Sequence, residues 1–406
     1  MKLFNTDIDA QVFRDRDTLQ DDYVPEELAG NTRDDELQQL AAALQPIIHG
    51  NAPDNVILRG PNGSGKTAAV RIVLNVLGHE INQLDQREFS YLIVNGSQHN
   101  TGYQLARELA NKLHNDTEFK QGHSYSALLD AVAQGVENLN GAVVVAIDEL
   151  RDGIEDIDQL LYLLSRTSSN DALTDKKIGL IATTTDASFK NMLSPNVKST
   201  LGKRTIKFAA YDTDDLRKIL DSRVKDAFAE EAVEESALAL CAALASQQGG
   251  DARFALDLVK YAGDIASQNG ANHVTEEEID KARKLWEKEH VDSIVANLAL
   301  KQRQVLYSLV DLADVDNISK PRTAKIISCY NNVAKRSKSV EVVSNRTVSR
   351  YLQTFVDEGL LRTELHHHHE GSWRDYELVF DEEYILEALR DDIERGKIAV
   401  SDDLSW

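Results

Sequence analysis

The chain has 406 residues, with 45 Lys and Arg against 67 Asp and Glu and a net charge of −22 at pH 7. At about 150 residues per domain this length accommodates roughly two or three domains, each able to bury its own core. No run is long and apolar enough to span a bilayer, and the N-terminal residues carry no apolar signal core, so a cytosolic protein is expected and a membrane protein is not. Cys241 and Cys329 lie far apart without a CxxC partner, which argues against a disulfide framework and against a zinc site. The acidic residues are spread over most polar segments, a pattern that suits a very salty cytosol in which self-repulsion is screened. Such an average disfavours nucleic acid as a partner unless the basic residues are gathered in one place.

In chain order, β-branched runs at 55–58, 91–96, 142–148, 178–185 and 205–208 alternate with helical stretches. That alternation predicts a parallel sheet with helices on both faces. Directly after the first run, Gly60, Pro61, Asn62, Gly63, Ser64, Gly65, Lys66 and Thr67, followed by Ala68, fit G-x-x-x-x-G-K-[ST] between a strand and a helix, the context the motif requires. The glycines let backbone N–H groups turn inward, and the helix adds its positive end. Lys66 is the candidate for the β- and γ-phosphates and Thr67 for Mg²⁺. The run VVVAIDEL ends a buried strand on Asp148 and Glu149, and apolar strands rarely end on paired carboxylates unless a cation or a reaction is present. Asp148 is expected to orient Mg²⁺ through water, and Glu149 to polarise the attacking water. Together these motifs define a nucleoside triphosphate with Mg²⁺ as the ligand.

Residues 210–290 read as helices only, opening on a capping aspartate or threonine. From 291 come further helices, then strand-like runs at 360–365 and 375–380 joined by a polar loop, then an acidic helix from Asp381 with a loose end. The basic residues reappear here: Lys320, Arg322, Lys325, Lys335, Arg336, Lys338, Arg346 and Arg350, opposed between 320 and 350 by Glu341 alone. Residues 344–361 read as a helix capped by Ser344 and ended near Gly359. Val348, Leu352 and Phe355 share one face; Arg346, Thr347, Ser349, Arg350 and Gln353 lie on the other, a composition suited to the major groove of DNA. The following hairpin supplies a wing whose loop carries His366 to His369, Trp373 and Arg374. Consecutive histidines on a strand alternate faces and chelate poorly, so they are read as wing residues near phosphates.

With these motifs placed, the chain resembles AAA+ ATPases and, more narrowly, the archaeal origin-recognition and replication-initiator family, relatives of the eukaryotic Orc and Cdc proteins. The resemblance covers nearly all the chain. It is carried by Tyr23-Val24-Pro25-Glu26-Glu27-Leu28 ahead of the phosphate loop, by Gly250-Asp251-Ala252-Arg253 opening a helix, and by the run FAAYDTDDLRKIL at 208–220. It implies an α/β fold: an AAA+ P-loop parallel sheet (1–208), a helical lid (209–290) and a C-terminal winged-helix domain (291–406). It further implies that Tyr23, Val24 and Pro25 pack on the adenine, that Tyr211 marks the sheet-to-lid junction beside the nucleotide, and that Arg253 reports the γ-phosphate to the lid. Two positions depart from the family pattern. Thr185 stands where the first sensor is usually Asn, and Asn196 where the family often has Arg, with Lys198, Lys203 and Arg204 as the nearby positive groups. An arginine finger is worth orders of magnitude in rate, so firm ATP or ADP binding with slow hydrolysis is expected. The family's helical insertion that touches DNA corresponds to 97–113.

The function expected is an ATP-switched initiator that recognises double-stranded origin DNA in the nucleoid, with the replicative helicase and self-association on DNA as partners by resemblance. The alternatives are a DNA-binding paralogue that regulates without loading a helicase, and a protein-remodelling or clamp-loading AAA+ machine. The basic helix argues against the last.

Overall fold

The computed structural model describes residues 12–20, 23–25, 31–84, 87–114, 117–151, 154–165, 176–186, 188–314, 318–337, 342–368 and 371–400. Glu26 to Leu28, Lys338, Glu341 and His369, all named in the sequence reading, lie outside the described residues. Contacts divide the chain into Met1–Ile279 and Asp280–Trp406.

In the first unit the strands are β1 (Val56–Arg59), β2 (Phe89–Asn95), β3 (Ala142–Asp148), β4 (Ile178–Thr184) and β5 (Arg204–Lys207), and every pairing is parallel, in the order β2-β3-β4-β1-β5. The helices of this layered part are α1 (Asp34–Leu44), α2 (Lys66–Asn82), α3 (Gly102–Leu113), α4 (Tyr125–Asn138), α5 (Ile157–Ser165), α6 (Phe189–Met192) and α7 (Pro195–Thr200). The residues of β3 explain the sandwich. All seven are buried, and alternate Cβ atoms leave opposite faces. Val143, Val145 and Ile147 join a core with Leu105, Leu128 and Leu160 from α3, α4 and α5. Ala142, Val144 and Ala146 join the other core, with Leu40 of α1 and Leu74 of α2. Each fully buried Val or Leu contributes about 1.5–3 kcal/mol, so a strand greasy on both sides is stable only between two helical layers. Because β3, β4 and β1 are neighbours, the loops leaving their C-terminal ends meet at one edge.

Three further helices, α8 (Thr213–Ala227), α9 (Glu235–Gln247) and α10 (Ala252–Gln268), follow the sheet. Asp212 caps α8 by accepting from Asp215 N at 2.8 Å. Asp251 caps α10 by accepting from Arg253 N at 2.8 Å and Phe254 N at 3.3 Å. The N-terminal segment is bound to these helices. Phe13 packs on Phe228 with ring centroids 4.6 Å apart, and Arg16 makes a bidentate pair with Asp264 at 2.8 and 2.6 Å.

The boundary between units falls within α11 (Glu276–Asn297). The second unit continues with α12 (Leu300–Asp314), α13 (Thr323–Arg336), α14 (Asn345–Asp357), the antiparallel pair β6 (Leu361–His368) and β7 (Gly371–Leu378), and α15 (Glu382–Glu394). Its core joins Val305, Ile326, Tyr330, Val348, Leu352, Phe355, Leu361, Tyr376 and Ile385.

One expectation for this unit is corrected. The polar residues 366–368 and 371–374, expected in a loop, are strand, with His366 opposite Trp373 and His368 opposite Gly371, because ladder hydrogen bonds and cross-strand stacking outweigh the polarity of the side chains. The acidic helix expected from Asp381 is present as α15, and the residues after it are anchored up to residue 400, beyond which lies outside the described residues. Ile385 and Leu389 of α15 and the following Ile398 are buried, Lys397 pairs with Asp392 at 3.0 Å, and Ala399 N donates to Ser337 Oγ at 2.9 Å.

Candidate functional site

The phosphate loop leaves β1 and turns into α2. Gly63 (φ +62°) and Gly65 (φ +89°) hold left-handed backbone where a side chain would also collide with neighbours: with Asp251 and Ala252 at Gly63, and at Gly65 with the Tyr211 hydroxyl, which would lie only 2.5 Å from an added Cβ. The loop is therefore a cradle moulded against the helical lid, and Ala252 N donates to Gly63 O at 3.2 Å to close the contact. Lys66 is 7% exposed. Its ammonium donates to the carbonyls of Gly60 at 2.8 Å and Pro61 at 2.6 Å. Burial lowers its pKa to about 8, against the opposing pull of Asp148.

Thr67 Oγ1 donates to Asp148 Oδ2 at 2.7 Å, while the Thr183 hydroxyl donates to the other Asp148 oxygen. Glu149 follows with φ +56°, a left-handed conformation uncommon for a side chain of this kind. Its N–H donates to Thr183 Oγ1 at 2.8 Å, fixing the turn. The carboxylate is engaged on both sides: Asn95 Nδ2 donates to Oε2 at 3.3 Å, and Arg253 Nη1 stands 3.6 Å from Oε1.

One cleft gathers most of the predicted residues. Tyr23, Val24, Pro25, Asn62, Gly63, Ser64, Gly65, Lys66, Thr67, Ala68, Glu149, Thr185, Tyr211 and Arg253 line it. Asp148 reaches it through Thr67. Gly60 and Pro61 border it as acceptors from Lys66. The donors suit a triphosphate with Mg²⁺. Oxygen atoms of Thr67 and Asp148 stand side by side, an ammonium stands beside a glycine cradle, and Mg²⁺ is commonly bound through one or two carboxylates plus phosphate oxygens.

Sequence reading missed three side chains here. Asn95 ends a strand and carried no motif. Arg33, 4% exposed, braces the loop from behind. Its Nε donates to Ser64 O at 3.1 Å, its guanidinium lies 3.9 Å over the Tyr211 ring, and it also donates to Ala209 O. An arginine followed by three acids reads as a solvated helix start, and only the fold reveals its burial. Arg223 of α8 also lines the cleft. Of the positive groups near Asn196, Lys198 donates to Asn191 O at 2.8 Å and Arg204 pairs with Asp54 at 3.2 Å.

In the second unit α14 is capped by Ser344, whose Oγ accepts from Thr347 N at 3.3 Å and lies 2.9 Å from Thr347 Oγ1. Val348, Leu352 and Phe355 are fully buried, while Arg346 and Arg350 are exposed and make no ion pair among the described residues. Arg374 of β7 donates to Gln353 Oε1 at 3.2 Å, joining wing to helix. Arg322 is engaged differently. It lies 4.3 Å over the Trp373 ring, and its Nε is 3.8 Å from Asp375, which also meets His366 Nε2 at 3.0 Å. Lys325 stands in the first turn of α13. Among the described residues no group of three or more His, Cys, Asp and Glu is placed to hold a metal ion, and no helix is long and apolar enough to cross a membrane.

A parallel five-stranded sheet with a phosphate loop, a helical lid closing on that loop and a winged helix define an AAA+ ATPase fold with a winged-helix module. Family models agree: the AAA ATPase domain matches residues 32–176, the Cdc6 AAA+ ATPase-type lid domain 217–284, and the CDC6 C-terminal winged helix domain 293–388. The chain is 33% identical to ORC1-type DNA replication protein 11 of Haloarcula marismortui, covering 94% of this chain and 92% of that one. It is 32% identical to ORC1-type DNA replication protein 8 of Halobacterium salinarum, covering 94% and 96%. The Aeropyrum pernix ORC1 protein, solved in complex with DNA, superposes with a TM-score of 0.80 at 30% identity, covering 94% and 97%. The chain belongs to the family of ORC1-type DNA replication proteins.

Proposed function

We propose that this protein is a nucleotide-switched initiator that recognises double-stranded DNA at replication origins and helps recruit the replicative helicase, with self-association on the DNA. The observation that carries this reading is the convergence of Lys66, Thr67, Asp148 and Glu149 from the sheet with Arg253 from the lid on one cleft. A relative of the same architecture was solved with DNA, which supports α14 and the wing as the duplex-binding surface.

In this reading Tyr23, Val24 and Pro25 hold the adenine. Lys66 exchanges the carbonyls of its own loop for β- and γ-phosphate oxygens. Thr67 and Asp148 would hold Mg²⁺, which would supply positive charge to the phosphates. Arg253 turns from Glu149 toward the γ-phosphate, and the exchange releases one oxygen of Glu149 to polarise water. Asn95 retains the other. Both contacts on Glu149 favour binding over rapid turnover, in keeping with Thr185 at the first sensor and the uncharged Asn196. Arg346, Thr347 and Arg350 then meet the duplex, with Lys325, Arg374 and the Arg322–Trp373 pair around them.

The same slow-turnover features favour a second reading, a regulator that binds DNA and nucleotide without loading a helicase. Lys66→Ala should abolish ATP binding, measured by calorimetry on the full chain; unchanged affinity removes the phosphate site. Turnover with and without duplex, compared with Glu149→Gln, separates a slow timer from a switch that does not hydrolyse. A timer loses its residual rate in the variant, whereas equal rates mean Glu149 activates no water.

A further inference from the structure

Ser64 is fully buried, and its hydroxyl donates to Pro61 O at 2.8 Å. Its carbonyl accepts from Arg33 Nε at 3.1 Å. In a trans peptide the C=O and the N–H point in opposite directions. The Ser64–Gly65 peptide therefore turns its oxygen back to Arg33 and aims the Gly65 N–H away from it; Gly65 and Lys66 both line the cleft. Nothing in Gly65 itself fixes that plane. A glycine adopts positive and negative φ with similar ease, so a coupled turn of Ser64 ψ and Gly65 φ would swing the N–H elsewhere at little steric cost. Arg33 opposes the turn, because it would leave a buried charged donor without its acceptor. The guanidinium is itself held on its other sides. Nη1 stands 3.2 Å from Glu36 Oε1, another N–H donates to Ala209 O, and the plane lies 3.9 Å over the Tyr211 ring. Glu36 offsets the charge at longer range, so Arg33 acts on a ligand chiefly through the peptide it polarises.

We propose that Arg33 is a positioning residue of the phosphate cradle: by holding Ser64 O it fixes and polarises the peptide whose N–H, on Gly65, meets a phosphate. This rests on the nucleotide reading above and adds to it a residue that acts from behind the loop.

The test labels the full chain, made by cell-free synthesis, with isotopes on the serine carbonyl and the glycine nitrogen. Ser64–Gly65 is the one Ser–Gly step in the sequence, so the spectrum reads the Gly65 amide alone. ADP should move that proton downfield in the unaltered chain, as a new hydrogen bond to phosphate requires. In Arg33→Met the shift should shrink and ADP affinity fall about tenfold, roughly 1.4 kcal/mol, while adenosine, which has no phosphate, competes as it does in the unaltered chain. Arg33→Lys, which keeps a charged donor, should recover part of both. Equal losses for ADP and adenosine, or an ADP affinity unchanged in Arg33→Met, overturn the inference. So does an unmoved Gly65 amide in the ADP-bound unaltered chain, a reading independent of whether the variants fold; each of these leaves nucleotide binding intact. No ADP binding by the unaltered protein overturns both.

Discussion

Lys66 has a pKa of about 8, below the ordinary lysine value, because the loop removes its ammonium from water. Below pH 8 the side chain is charged whether the chain is folded or unfolded, so the full cost of burying that charge is present. As the pH rises from about 8 toward the ordinary value, the folded protein sheds the proton first and the cost is relieved, so this group contributes stability with rising pH in that window. A triphosphate reverses the balance, since its oxygens favour the charged amine. ATP binding above pH 8 should therefore take up a proton, and affinity should fall with pH by up to about tenfold per unit. Calorimetry in two buffers of different ionisation enthalpy measures the uptake. Lys66→Arg, charged throughout, should show no such fall, and a flat affinity from pH 7 to 9.5 in the unaltered chain would mean that Lys66 does not meet phosphate. The lysine itself was legible in the sequence, because loop, cation and hydroxyl have a fixed spacing. Asn95, Arg33 and Arg223 were not, since their significance comes from residues 54, 31 and 200 positions away in the chain, Glu149, Ser64 and Tyr23.

Among the elements, α14 separates two kinds of arginine. Arg346 and Arg350 project from a helix whose other face is fixed by Val348, Leu352 and Phe355, and neither is tied to an acid among the described residues. Arg322 is stacked on Trp373 beside Asp375. Arg346→Ala with Arg350→Ala should weaken duplex binding by about 1–3 kcal/mol per base-reading contact while leaving the melting temperature unchanged. Arg322→Ala should instead lower the melting temperature of the second unit with a smaller loss of affinity. Anisotropy titrations on origin and scrambled duplexes, paired with thermal melts, check both; an equal loss on every duplex means Arg346 and Arg350 contact phosphates and do not read bases. The helix was legible from its cap and its seam of apolar residues. The wing hairpin was legible too, but the length of its strands was not, because a polar run looks like a loop until its partner strand is known. His366 takes its place in β6 from stacking on Trp373 at 5.4 Å, not from its own propensity.

For the whole molecule, the net charge of −22 opposes DNA, and the basic residues gathered at 320–350 reverse that sign locally in the sequence. Wherever salt is high the gain from counterion release is small, and affinity then has to come from hydrogen bonds to bases and from deformation of the duplex. Such binding is selective by nature, which fits an origin-marking role better than general coating of DNA. The base-and-lid fold was legible from strand–helix alternation and the resemblance of its motifs. The docking of residues 12–20 on the lid was not, because Phe13 and Arg16 find Phe228 and Asp264 only in the folded chain. Genome-wide mapping of the sites this protein occupies in its own cells tests the initiator role most directly. Peaks should coincide with replication start sites, and should vanish for the Arg346→Ala, Arg350→Ala double variant. Peaks confined to promoters, with replication starts bare, would contradict it.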